Sequence, residues 1–239
     1  MSRSNQPTQD APQDDAPQDY ERFFADLESR LASLSHTDEA VRVVESAVTG
    51  RFKKTSQRQV AFAFPGGVCV EPIAYDVALA AGKIGPGENC FAVLQGDVVS
   101  TEAAYFMGER LTGGPLFAIL NSTCDLVPGR REYASLLRVS PINGSVDEIK
   151  STLHQLLSFR SRRDLYLPSM PLEEPPSLGY AIRFDGVAQV RIEDLLVARR
   201  LCSLSLAGWR IFGSFARVLI SRAGDGEAQL RTKLEPKHR

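Results

Sequence analysis

The stretch Phe117-Ala-Ile-Leu-Asn-Ser-Thr-Cys-Asp-Leu-Val-Pro-Gly129 decides how this chain is read. Its apolar start, Leu116 to Leu120, is short, uncharged and followed by turn residues, which is the pattern of a buried strand. Asn121, Ser122, Thr123, Cys124 and Asp125 then set hydrogen-bonding groups, a thiol and a carboxylate at the strand's end. Strand ends are where a rigid scaffold presents chemistry to a cleft. The same residue types also satisfy backbone groups in turns. The residues alone allow both readings.

Outward from this strand the chain reads as α+β. Residues 59 to 142 carry short strand-like runs at Val60 to Phe64, Val68 to Ile73, Cys90 to Ser100, Ala103 to Met107 and Tyr133 to Ser140, with a small helical piece at Tyr75 to Ala81. Gly/Pro loops such as Pro65-Gly66-Gly67 separate them, so a small barrel-like or tightly bent β core is expected. Before it, residues 20 to 58 form an N-terminal helical segment. Leu27, Leu31 and Leu34 recur at helical spacing, and Thr37 caps a second helix striped by Val41, Val44 and Val48. Residues 1 to 19 repeat Asp-Ala-Pro-Gln-Asp twice and lack the apolar content to offset ordering entropy, so they read as a disordered acidic tail.

Residues 143 to 239 read as a basic α/β part packed on the core. Ser145-Val-Asp-Glu148 is a capping box opening an amphipathic helix. A four-proline connector follows from Leu167 to Ser177, then a hairpin from Tyr180 to Ile192 around Asp185-Gly186, then a final helix from Leu206 to Arg222.

Composition excludes several function classes. With 43% hydrophobic and 24% charged residues over 239 positions, the chain is that of an ordinary globular protein. It has no membrane span and no secretory signal, so a cytoplasmic location is expected. Cys69, Cys90, Cys124 and Cys202 form no CxxC pair and the three histidines are scattered, so no metal is expected. No phosphate-cradling loop is present, and no cofactor is expected. The net charge of −1 is unevenly spread, with 14 Lys and Arg against 9 Asp and Glu in residues 151 to 239. That split suggests a polyanionic partner for the C-terminal part, or attraction between the two parts.

Gly96-Asp97-Val98-Val99, then Gly114-Pro115 with the Phe117 strand, then Leu136 to Ile142, resembles the PemK/MazF-like group of small SH3-like β-barrels. The resemblance covers about residues 88 to 142. It implies an SH3-like barrel in a bacterial protein directed at RNA, so the expected fold is a small SH3-like β-barrel core to which the residues themselves add N-terminal helices and a C-terminal helix/hairpin extension. In the toxin members an Arg-Pro pair opens the second strand, and the arginine helps to cleave RNA. Here Gly114 stands at that position, so the resemblance implies a barrel that has lost the toxin activity.

The leading expectation is therefore a non-enzymatic bacterial macromolecule-binding protein of a toxin–antitoxin or phage-defence type of system. Its partner would be a protein, with RNA as the alternative and a homo-oligomer as a further arrangement. Asn121, Thr123, Arg130, Arg162 and Arg163 are the binding candidates, the arginines as phosphate contacts. The rival is a hydrolase. A metal-independent ribonuclease needs a base and cations for developing phosphate charge, which Asp97 or Asp125 with Arg110, Arg130 and Arg131 would supply. A thiol enzyme would pair Cys124 with His154.

Overall fold

The computed structural model describes residues 17–34, 37–82, 92–161, 163–170, 177–220 and 233. The tail of residues 1 to 16, together with Cys90 and Arg162, lies outside them.

The N-terminal helices form as their apolar spacing dictates, starting slightly earlier than expected: α1 spans Pro17–Ala32 and α2 spans Asp38–Arg51. Thr37 caps α2 by accepting from the Ala40 amide at 3.3 Å. Leu27, Leu31, Val44 and Val48 are buried. The run Val60 to Phe64, expected as a strand, instead closes a third helix, α3 (Thr55–Ala61). Short apolar runs do not distinguish helix from strand. Here Gln57 accepts the Lys54 amide at 3.1 Å, and Arg58 donates to Phe52 O at 2.9 Å and to Ser158 Oγ at 2.6 Å. Those bonds settle the segment as a helix with Val60 facing solvent.

The strands follow as β1 (Cys69–Val70), β2 (Val98–Ser100), β3 (Tyr105–Phe106), β4 (Glu109–Arg110), β5 (Leu116–Ile119), β6 (Tyr133–Pro141), β7 (Asp164–Leu167), β8 (Tyr180–Arg191) and β9 (Arg199–Leu204). The short helix α4 (Tyr75–Ala80) follows β1, and a 3-10 turn, Thr123–Leu126, follows β5. Helix α5 (Val146–Leu157) opens on the Ser145/Glu148 capping box. Two further helices are α6 (Ile192–Leu196) and α7 (Leu206–Ile220).

The nine strands among the described residues are all antiparallel, in the order β1-β9-β2-β5-β6-β8-β3-β4, with β7 paired to the first part of β8. The sheet is not closed, so the α+β class holds without a closed barrel. The C-terminal segment contributes β7, β8 and β9 to this one sheet, and β9 lies between β1 and β2.

Asp185-Gly186 is no hairpin turn. A type I′ turn needs positive φ at both residues, and neither has it. The chain runs straight through them as β8, with a bulge against β6 between the pairs Leu137↔Val187 and Val139↔Ile182.

Alternation along the strands builds two cores. Val98, Ala118, Leu137 and Val139 face the larger one, covered by α1, α2, α3, α5 and α7. Val99, Phe117, Ile119 and Leu136 face a smaller one, closed by loops and by Ile192 and Leu195 of α6.

Candidate functional site

The strand end singled out from the sequence folds into a tightly bonded polar hub. Gly96 (φ +84°) turns the chain into β2, and a side chain there would collide with Leu204. Asp97 is fully buried; its Oδ2 accepts from the Leu94 amide at 2.9 Å and from Arg200 Nη1 at 3.3 Å. Arg200 is itself held by Ala92 O at 2.7 Å and Ile73 O at 2.6 Å. Asp97 Oδ1 has no aligned hydrogen-bond partner among the described residues. Burial pushes the Asp97 carboxyl above its ordinary range, opposed by Ser203, the Leu94 amide and Arg200.

The neighbouring candidates are bound into the same framework. Thr123 Oγ1 accepts from the Gln95 amide at 2.9 Å, and Gln95 links Leu120 O to the Trp209 indole, each at 2.9 Å. Asn121 Oδ1 accepts from the Ser135 amide on β6 at 2.5 Å. Asp125 lies 3.5 Å from Arg131 Nε, and Arg130 donates to Cys124 O at 3.1 Å. Arg110 donates to Glu102 O at 2.7 Å. Arg163 is exposed, on the loop between α5 and β7, and its neighbour Arg162 lies outside the described residues.

Of the two catalytic readings, the thiol pair is not assembled, whereas Asp125 does stand beside Arg131, with Arg130 on the adjoining Cys124 carbonyl. Cys124 is exposed with only Ser122 Oγ at 3.2 Å, whereas His154 is bonded to Thr55 Oγ1 at 3.2 Å in the helical layer. Asp97 and Asp125 are separated in role: one is sealed beneath the hub and the other is paired at the surface. Among the described residues no three His, Cys, Asp or Glu side chains gather as a metal set.

Sequence reasoning missed a different region, at the β3–β8 end of the sheet. Leu137↔Val187, Ser135↔Gln189 and Tyr133↔Arg191 are directly paired, as are Tyr105 and Gln189. Directly paired residues share a face and alternate residues along a strand share it too. Tyr133, Ser135, Val187, Gln189, Arg191 and Tyr105 therefore continue the face that Leu137 buries under the helices. The helices stop short of them. Tyr105 is 50% exposed, Tyr133 45%, Val187 39% and Met107, at the tip of the β3–β4 hairpin, 89%.

These side chains edge a cleft of about 590 Å³ that also includes Ala103 and Asp194. Arg191 joins it to a second cleft of about 420 Å³ reaching Arg130 and Arg131. Interaction with Tyr133, then with Glu132 and Glu193, pushes the Arg191 pKa further up. The signal in the sequence was the alternation of Tyr133-x-Ser135-x-Leu137 and Val187-x-Gln189-x-Arg191. It identifies a face without telling which part is covered.

No family profile matches the chain, and neither does any curated protein or solved structure. No helix among the described residues is long and apolar enough to cross a membrane.

Proposed function

We propose that the chain is a non-enzymatic protein-binding component, and that its partner docks on the bare sheet end formed by Tyr105, Met107, Tyr133 and Val187. One observation carries the reading: a sheet face that is buried under helices along most of its length is left uncovered at one end, with Tyr105, Tyr133 and Val187 exposed among Ser135, Gln189 and Arg191. Aromatic residues, Met and Arg are the types enriched where proteins meet. Charge favours a protein partner over a nucleic acid. Arg130, Arg131 and Arg191 in the two clefts stand beside Glu132, Glu193 and Asp194, so the lining is balanced. Phosphate-backbone binding depends on an excess of cations. The bacterial toxin–antitoxin or phage-defence setting belongs to this proposal through the PemK/MazF-like resemblance.

The test is site-specific photocrosslinking in the native host, with the photoreactive residue at position 107. A discrete protein adduct that disappears in the Tyr105→Ser/Tyr133→Ser variant is the expected result. An adduct of twice the chain's mass would identify the partner as a second copy. Cleavage of end-labelled single-stranded RNA by the purified chain, lost on Asp125→Ala, would replace the proposal with the hydrolase reading. A salt-sensitive RNA shift without an adduct would replace it with RNA binding.

A further inference from the structure

The reverse side of the same sheet end holds a cavity of about 450 Å³, and we propose that it binds a small zwitterion with an apolar body, of which an aromatic amino acid is the simplest member. This inference is independent of the docking face.

The cavity is a product of the bulge between β6 and β8. From Leu137↔Val187 to Val139↔Ile182, four residues of β8, Arg183 to Gly186, stand opposite the single residue Arg138 of β6. Bulges re-aim side chains and recur beside binding sites. Here Phe184 turns into the larger core, while Arg183, Asp185 and Gly186 line the cavity. Arg138 is paired directly with Phe117 of β5, so the two share this face, and Ser140 follows on it. The β3–β4 hairpin forms the opposite wall. Phe106 approaches so closely that a Cβ at Gly186 would stand 3.1 Å from its ring. Phe106, Leu111, Phe117 and Ala188 thus make the apolar wall of an open cleft, with polar groups confined to the other side. Both the volume and this division of surface are those of small-molecule sites, which run from about 300 to 1,000 Å³.

The polar groups select the ligand's charge. Nη1 of Arg183 is taken, donating to both carboxylate oxygens of Asp164 at 3.1 Å. Arg138 and Asp185 are both exposed to solvent at the cleft mouth: among the described residues neither side chain has a hydrogen-bond or ion-pair partner, and they do not pair with each other. A simple anion would satisfy Arg138 but meet Asp185. A simple cation would satisfy Asp185 but meet Arg138. An uncharged apolar molecule would cover both charges without replacing their water. A carboxylate and an ammonium on one apolar body satisfy both.

Calorimetry on the full chain tests this with three probes: L-phenylalanine, 3-phenylpropionate, which lacks the ammonium, and 2-phenylethylamine, which lacks the carboxylate. L-phenylalanine should bind, and each one-charge analogue should bind about tenfold more weakly or worse, since hydrogen bonds to charged groups are at stake. Arg138→Ala and Asp185→Asn should each weaken L-phenylalanine by a similar factor. The proposal is overturned if none of the three binds at millimolar concentration. It is equally overturned if either analogue matches L-phenylalanine, a comparison that needs only the wild-type chain and stands even if a variant fails to fold.

Discussion

The Gly96–Asp97 hub and the β3–β8 sheet end are opposite in chemistry and in state. The hub is rich in residues that catalyse reactions elsewhere, yet nearly every one is spent on a backbone group or a neighbouring side chain. The sheet end has few such residues, but its tyrosines, Met107 and Val187 are uncovered. Buried polar groups are costly unless paired, so a polar cluster at a strand end can exist purely to close a fold. An uncovered apolar face has no comparable structural explanation. Partner status therefore separates the two regions better than residue type does.

The comparison breaks most sharply at Asp97. Asp97→Ala leaves the half-buried Leu94 amide without its acceptor and removes the carboxylate from Arg200, whose Nη1 keeps only Ala92 O, and should cost about 2 kcal/mol in urea denaturation. A fully stable variant would mean that the hub is not structural, and would return Asp97 to the list of functional groups. Asn121→Ala removes the acceptor for the Ser135 amide and should cost about 1 kcal/mol by the same measurement, with Thr123→Ala similar.

Asp97 also gives a pH signature. Its folded pKa is raised, so the folded state binds the proton more tightly than the unfolded chain does. Its contribution to stability is thus fully present below the ordinary carboxylate range and is lost as pH rises through the raised folded value. Glu148, lowered by its capping box with Ser145, acts in the opposite direction. The wild type minus Asp97→Asn difference in stability should therefore fall with rising pH across that window. A flat difference would show that burial does not penalise the ion. The smallest expected effect lies at the other region: Tyr105→Ser/Tyr133→Ser should change stability by no more than about 0.5 kcal/mol per site, since these rings are half-exposed. A large loss would make the sheet end part of the fold and weaken its claim as a docking face.

Much of the helical layer was legible because its signals are local. The Thr37 cap, the Ser145/Glu148 box and the leucine and valine stripes each specify a helix within a few residues. The misreadings all involve distant partners. Helix α3 is fixed by the reach of Arg58 to Ser158 at the C-terminal cap of α5. Asp185-Gly186 carries the pairing of a hairpin turn, but β6 on one side and β7 and β3 on the other hold β8 extended. Strand β9 was hidden because it opens on Arg199-Arg200, a pair that locally marks a solvated surface, whereas Arg200 turns inward to Asp97. The polar residues of the hub were found by type, but nothing local reveals whether an asparagine is capping a neighbouring strand. The bare sheet end was illegible for the complementary reason, since coverage is decided by helices far away in the sequence.

The place of β9 has a consequence for synthesis. Among the described residues it supplies the only strand neighbour that β1 has and one of the two that β2 has, yet it is made about a hundred residues after β2. While a ribosome is still adding β6, β7 and β8, the nascent chain therefore displays two strand edges with nothing to pair with. Exposed edges invite pairing with other chains. A nascent chain of this kind depends on shielding until β9 emerges, and termination before Arg199 should leave β1 and that edge of β2 unpaired.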